Sequence, residues 1–322
     1  MEIGDRSPLK LRPHISETVW GGRRLIENYG VDPRGRANAA EAWVLSAHPK
    51  GCSTVETGPF AGQTLARLYG ERPDLFGSHC AVNGKERFPV LVKLLDAKED
   101  LSLQVHPRDG DEVLLPGEAG KNECWFILEA QPGAKLYMGP REAITRAQLA
   151  AAIEDKTVMG YMQDFEVEEG DFFFIPAGTL HAIGKGVLLA EVQQSSDTTY
   201  RVYDYNRLQD GKPRELHVAQ ATAVADLLPY EPARQKWGLF GTKTLCECEW
   251  FSVEERDVRF GFTDEADEES FVHLLILEAG EGAVLEWEGI EMPLRKGESV
   301  FIPAGAGKFS VDGDVRALVT YV

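Results

Sequence analysis

Two stretches of this chain spell the same structural unit. Residues 170–178 read GDFFFIPAG, and residues 297–305 read GESVFIPAG, 127 positions later. A second shared phrase, ILEA, stands upstream of each, at 127–130 and again at 276–279, an offset of 149. Matched phrases in the same order mark a duplicated β-rich unit. The two offsets differ by 22 residues, so the first copy carries that much extra chain between its phrases. The residues directly after each repeat separate the copies: Thr179-Leu180-His181 in the first, Ala306-Gly307-Lys308 in the second.

Other features of the chain fit a duplication. At 322 residues it exceeds one average domain and predicts two, each with material for a core. Short strand-like runs at 88–95, 102–105, 124–128, 171–175, 187–192, 271–277 and 317–322 alternate with Gly and Pro punctuation. Many short strands broken by turns predict a mainly β sandwich or jelly roll and exclude a parallel α/β sheet. Helical signals are few: 64–69, and 145–155 (TRAQLAAAIED) with its threonine N-cap and alanine-rich interior. The latter falls inside the surplus, predicting a helical insertion at about 141–162 in the first unit. A composition shift at 229–236 (PYEPARQK) reads as a linker, dividing the chain into 1–235 and 236–322.

The formal net charge of −18 argues against nucleic acid or an anionic membrane as partner. Any anionic substrate then needs a local cluster of Lys and Arg. No apolar leader or long apolar run is present, and five cysteines without a CxxC pair suit reduced thiols, so the expected location is the cytoplasm. Cys246 and Cys248, two apart, read as a same-face pair on a sheet and an incomplete metal site.

Chemistry-bearing residues concentrate in the first copy. In LSLQVHP at 101–107, strand alternation puts Ser102, Gln104 and His106 on one face. In KNECWF at 121–126, Lys121 and Glu123 share a face, and His181 follows the IPAG turn directly. Two imidazoles, one carboxylate and one amide oxygen compose a mixed N/O metal site with room for water or substrate. The second copy is an internal control. It keeps the turn but aligns Val272 with Glu123 and Lys308 with His181, so the turn is structural and the ligands distinguish the copies. His14, His79, His217 and His273 read as ordinary packed or surface histidines, and His48 as structural or supporting.

LSLQVHP, KNECW, FFFIPAGTLHAI and EVQQSSDTTYRVYDYNR, with EAWVLSAHP at 41–49 and FPVLVKLLDA at 88–97, resemble the signature segments of type I phosphomannose isomerases of the short bacterial form. The resemblance runs from near the N-terminus to about Gln220, and more loosely to the end. It implies a duplicated cupin, two jelly-roll barrels, with the catalytic cupin in 1–235 and a degenerate one in 236–322. It implies one Zn²⁺ per chain and interconversion of mannose 6-phosphate and fructose 6-phosphate. Carried over residue by residue, the metal ligands are His106, Glu123 and His181, with Gln104 matching a fourth. The catalytic arginine is Arg201, Glu191 matches the proton-transfer carboxylate, and Ser102 and Lys121 line the sugar-phosphate site. One departure stands out: Asn122 replaces the threonine or serine that more often precedes the glutamate.

The residue types agree with that chemistry. Aldose–ketose isomerisation passes through an enediolate, which a divalent cation and a fixed guanidinium stabilise and a positioned base must form. Lys121, Arg201 and Lys93 would supply the local positive field. Two other readings remain open at this level. One is a cupin oxygenase, because two histidines and a carboxylate also make a non-haem iron triad, and the other is a non-catalytic sugar-binding module.

Overall fold

Alternation organises the computed structural model, which describes residues 4–82, 87–209, 211–232 and 241–322. Among the described residues most regular segments are short strands in antiparallel sheets. The expected runs form the strands Val90–Asp96, Leu103–Val105, Glu123–Ala130, Phe172–Ile175, Val187–Gln194, Val272–Ala279 and Val315–Tyr321. The boundary expected at residue 235 and the second half of the expected linker lie outside the described residues.

Contacts group the chain into two compact units. One comprises Met1–Ser16, Arg23–Leu94 and Trp237–Val322, and the other Glu17–Gly22 and Leu95–Lys236. This grouping differs from a simple cut near 235. The N-terminal strand Leu9–Arg12 pairs antiparallel with Ser299–Ile302 of the second repeat, Leu9 opposite Phe301. A strand goes where its unpaired backbone N–H and C=O groups are satisfied, and that can lie at any sequence distance.

In the Leu95–Lys236 unit, a five-stranded sheet runs in the order Met162–Glu166, Lys135–Pro140, His181–Ile183, Leu103–Val105, Tyr200–Tyr203. Three further strands, Phe172–Ile175, Glu123–Ala130 and Val187–Gln194, are antiparallel neighbours. The insertion forms the helix Arg146–Glu154. Its capping box is complete: Gln148 N donates to Thr145 Oγ1 at 3.2 Å and Thr145 N donates to Gln148 Oε1 at 2.8 Å. Leu149, Ala152 and Ile153 of this helix pack in one cluster with Leu103, Val105, Leu180, Ala182, Tyr200 and Val202. Because strand neighbours face opposite ways, this packing leaves Gln104, His181 and Arg201 on the other face of the five-stranded sheet. The helix Val218–Val224, which the sequence reading does not anticipate, joins the same cluster through Ala221 and Val224. It starts at His217 without a side-chain cap, so it lacks the usual N-terminal signal.

In the other unit, the second repeat builds a sheet from Gly241–Glu247, Ser252–Val258, Val315–Tyr321, Val272–Ala279 and Ser299–Ile302, in that order. A second sheet contains Phe262–Ala266, Gly307–Asp312, Val284–Trp287 and Ile290–Pro293. Val272, Leu274, Leu285, Trp287, Val300 and Val319 belong to one buried apolar cluster. Cys246 lies in the first of these strands, but Cys248 falls beyond its end, where its N–H donates to Phe251 O at 3.1 Å. The two thiols do lie together, with a side-chain hydrogen bond between Cys246 and Cys248, but only Cys246 is in the strand; all five cysteines are free thiols.

Candidate metal centre and active site

His106, Glu123 and His181 meet in the Leu95–Lys236 unit, with one ligand atom from each lying within 4.8 Å of the others. All three are almost completely buried. His106 follows the strand Leu103–Val105, Glu123 opens Glu123–Ala130, and His181 opens His181–Ile183 three residues after Gly178 of the IPAG turn. His181 pairs in register with Gln104, and Gln104 with Arg201, so three neighbouring strands deliver side chains to one face.

Both imidazoles are oriented by backbone. Nδ1 of His106 lies 2.8 Å from Thr198 O, and Nδ1 of His181 lies 2.8 Å from Thr179 O. A carbonyl only accepts, so each Nδ1 carries a proton, and in the neutral ring Nε2 keeps its lone pair; Lys121 Nζ, which can only donate, lies 3.1 Å from His106 Nε2. Those Nε2 atoms point at Glu123, at 3.6 Å from Oε2 for His106 and 3.3 Å from Oε1 for His181. Burial, then the Lys121 charge, lowers the His181 pKa to about 4, so the ring is neutral at pH 7. Two neutral Nε2 lone pairs, each ring held by a carbonyl at Nδ1, converge on a buried carboxylate and fit a divalent cation of the zinc type. The amide of Gln104 reaches the same place, its Nε2 3.3 Å from His181 Nε2. Its Oε1 is the atom suited to ligation.

The charged neighbours are equally specific. Lys121 Nζ lies 2.7 Å from Glu123 Oε2, 3.1 Å from His106 Nε2 and 3.8 Å from Glu191 Oε1. Glu191 is 3% exposed, and its Oε2 accepts from Trp125 Nε1 at 3.0 Å. Arg201 is half-buried and donates from Nη1 to Glu215 O at 3.0 Å. Burial, then the nearby Arg214, lowers its pKa from the ordinary value. Ser102 is buried two residues before Gln104.

The structure therefore gathers His106, Glu123, His181, Gln104, Lys121 and Glu191, and sets Arg201 beside Gln104. Lys93 groups with the other unit, where its Nζ lies 4.8 Å over the Trp43 ring and 4.0 Å from Glu41 Oε2. His48 packs edge-on against Trp43, at 5.9 Å between ring centroids. Sequence reasoning misses two residues. His217 braces the backbone of Arg201, accepting from its N–H on Nδ1 at 3.1 Å. Trp125 touches both Glu191 and, edge-on at 5.4 Å, the His181 ring. Its only sequence signal is its place two residues after Glu123 on a strand.

Asn122 explains its own departure from the resembled pattern. Its Oδ1 accepts from Ala177 N in the IPAG turn at 3.0 Å, while its Nδ2 donates to Gln194 Oε1 at 2.7 Å. Gln194 Nε2 in turn donates to Asp109 Oδ2 at 2.8 Å. A threonine could span only part of that network. The amide ties the turn preceding His181 to the strand carrying Glu123.

Comparison with known proteins agrees with this geometry. A family model for the phosphomannose isomerase type I catalytic domain matches residues 9–123, and one for the mannose-6-phosphate isomerase cupin domain matches residues 241–322. A mannose-6-phosphate isomerase of Bacillus subtilis is 37% identical, the alignment covering 98% of this chain and 99% of the relative. One from Streptococcus mutans is 36% identical, with 98% of each chain covered. The crystal structure of a mannose 6-phosphate isomerase from Bacillus subtilis superposes with a TM-score of 0.87 at 37% identity, covering 98% of this chain and 100% of that one.

Proposed function

We propose a mechanism from one premise: the chain belongs to the type I phosphomannose isomerase family, with a duplicated cupin fold. It is an isomerase that interconverts mannose 6-phosphate and fructose 6-phosphate, an aldose and its ketose. The observation that carries the site assignment is the convergence of two backbone-oriented imidazole Nε2 atoms on the buried Glu123 carboxylate.

His106, Glu123 and His181 hold one Zn²⁺ per chain, with Gln104 as a fourth ligand. Bound there, the cation supplies Lewis acidity toward the carbonyl and hydroxyl oxygens of the sugar. Glu191 removes the proton from C2 of the aldose and returns it to C1, while the O2 hydroxyl proton passes to O1, so the enediolate forms and collapses to the ketose with no net loss of protons. Arg201 adds a fixed positive charge beside the developing oxyanion, a contribution typically of about 2.7–4 kcal/mol per donor. Lys121 and Ser102 contact the substrate. Lys121 and Arg201 give local positive charge on a chain whose net charge is −18, and that charge argues against nucleic acid and anionic membrane as partners. The catalytic group lies entirely between Ser102 and Arg201, so the functional division into a catalytic first copy and a degenerate second copy stands as our reading. Free thiols support a cytoplasmic setting, and among the described residues no helix is long and apolar enough to cross a membrane.

The test is a coupled assay of mannose 6-phosphate isomerisation with Zn²⁺-replete protein. Turnover that is lost on chelation and restored by zinc is the expected result. Oxygen consumption on turnover, or sugar binding without isomerisation, would replace this reading.

A further inference from the structure

We infer that Trp125 is a positioning residue for the isomerisation, one that fixes which oxygen of Glu191 handles the proton; this rests on the reading of Glu191 as the proton-transfer group.

The placement follows from strand geometry. Trp125 lies two residues beyond Glu123 on Glu123–Ala130, so both side chains leave the same face. Across the ladder, Glu191 is the residue directly opposite Trp125, and Gln193 the one opposite Glu123. Directly opposed side chains on one face start about 4.5–5.5 Å apart at Cβ, close enough for an indole to meet a carboxylate. The contact is made: Trp125 Nε1 donates to Glu191 Oε2 at 3.0 Å, in a region where Trp125 is 0% and Glu191 3% exposed.

Indole is a donor only, so this bond has one sense. It holds Oε2 and turns Oε1 toward Lys121, whose Nζ lies 3.8 Å away and also contacts Glu123 and His106. The carboxylate therefore cannot rotate about its terminal bond without breaking a buried hydrogen bond. A proton carried between adjacent carbons needs an oxygen that keeps its position through both transfers, because misplacement costs near-attack geometry. The same indole meets the His181 ring edge-on, at 5.4 Å and 76°. One indole therefore touches both the base and a metal ligand. The second repeat lacks all of this. Leu274 stands where the first has Trp125, and it pairs with Val319 as Trp125 pairs with Glu191.

The test uses full-length, Zn²⁺-loaded Trp125→Phe, which keeps an aromatic ring and removes the N–H. The scale of one hydrogen bond to a charged group predicts a kcat roughly 10- to 100-fold lower, with KM and metal content unchanged. The deuterium isotope effect with mannose 6-phosphate labelled at C2 should rise, because proton transfer becomes more rate-limiting. A merely structural role would lower the active fraction and leave the isotope effect where it was. Should Trp125→Phe not fold, benzothienylalanine at 125 carries the same test, since it exchanges N–H for sulfur and keeps the ring volume. An unchanged kcat and isotope effect would overturn the proposal. So would a loss that only follows lost zinc, which would make Trp125 a support for His181. Glu191→Gln separates the two readings. Full turnover in that variant removes Glu191 as the base, whereas a dead Glu191→Gln beside a fully active Trp125→Phe removes only the positioning role.

Discussion

The two repeats solve one backbone problem with opposite interiors. In the first, Glu123, Trp125, Glu191 and His181 face a polar, chargeable centre. At the matching places the second has Val272, Leu274, Val319 and Lys308. Val272, Leu274 and Val319 are part of one apolar cluster with Trp287 and Val300, while Lys308 is exposed. The lysine does not repel a cation from a vacated site, because the centre of the second copy is filled with hydrocarbon. Filling with apolar surface stabilises at about 25 cal/mol per Å² buried, whereas clustering buried charges costs desolvation that only good pairing offsets. The difference teaches that the IPAG turn belongs to the fold, and that the polar interior of the first copy is held against a stability gradient.

The strongest way to break this comparison is to count metal. Elemental analysis of dialysed protein should return one tightly held ion per chain. His181→Ala should bring that near zero, with activity reduced by roughly 10³-fold or more, since Lewis acidity is worth several kcal/mol. Two tightly bound ions, or one surviving that substitution, would place a site in the second copy. Next in size, Arg201→Ala should lower kcat by about 10²–10³-fold, the usual effect of losing a charged donor to an oxyanion, while metal content stays at one. A metal-free, unfolded variant would instead make Arg201 structural, alongside the His217 that braces it.

How much of this is legible in the sequence depends on whether the carrier is a side chain of distinctive type. His106, Glu123 and His181 stand out because the second copy keeps the turn but has Val272 and Lys308 where the first has Glu123 and His181. The insertion helix is legible from Thr145 and its alanines, which act locally. The carbonyls of Thr198 and Thr179 that set the imidazole tautomers carry no side-chain signature. Trp125 sits in an apolar strand and reads as core until its partner across the ladder is known. The pairing of Leu9–Arg12 with Ser299–Ile302 is invisible because strand partnership over such a span leaves no local mark. Lys93 illustrates the converse: its charge is legible, but its partners Glu41 and Trp43 are not.

A smaller effect sharpens the comparison from the stability side. Leu274 is 0% exposed and holds the position of Trp125. Leu274→Ala should destabilise the protein by about 2–5 kcal/mol in urea unfolding, the range for a buried leucine truncated in a close-packed core. Activity per folded molecule should be unchanged. A kcat loss with intact stability would mean that the second copy contributes to chemistry after all.

The smallest expected effect is a pH dependence, and it concerns a histidine in each copy. His273, aligned with Cys124, is fully buried, and burial lowers its pKa to about 3. Ser299 Oγ donates to Val44 O at 2.9 Å, so its oxygen accepts from His273 Nε2 at 2.9 Å, and the ring proton is on Nε2. Protonation would add a charge at Nδ1, which among the described residues has no hydrogen-bond partner. The folded value lies below the unfolded value of about 6.5, so between them the unfolded chain binds more protons. The stability from keeping His273 neutral is therefore full above pH 6.5 and is lost progressively as pH falls toward 3, at no more than about 1.4 kcal/mol per pH unit for one group. His181 obeys the same sign in metal-free protein, with a folded value of about 4, but bound zinc would hold it neutral to lower pH. NMR titration of the zinc-loaded protein should find His273 still neutral at about pH 5, well below the ordinary imidazole midpoint. A His273 resonance that titrates near 6.5 in the folded protein would mean that water reaches the layer where His273 and Ser299 meet Val44, on the strand face opposite Val272 and Leu274.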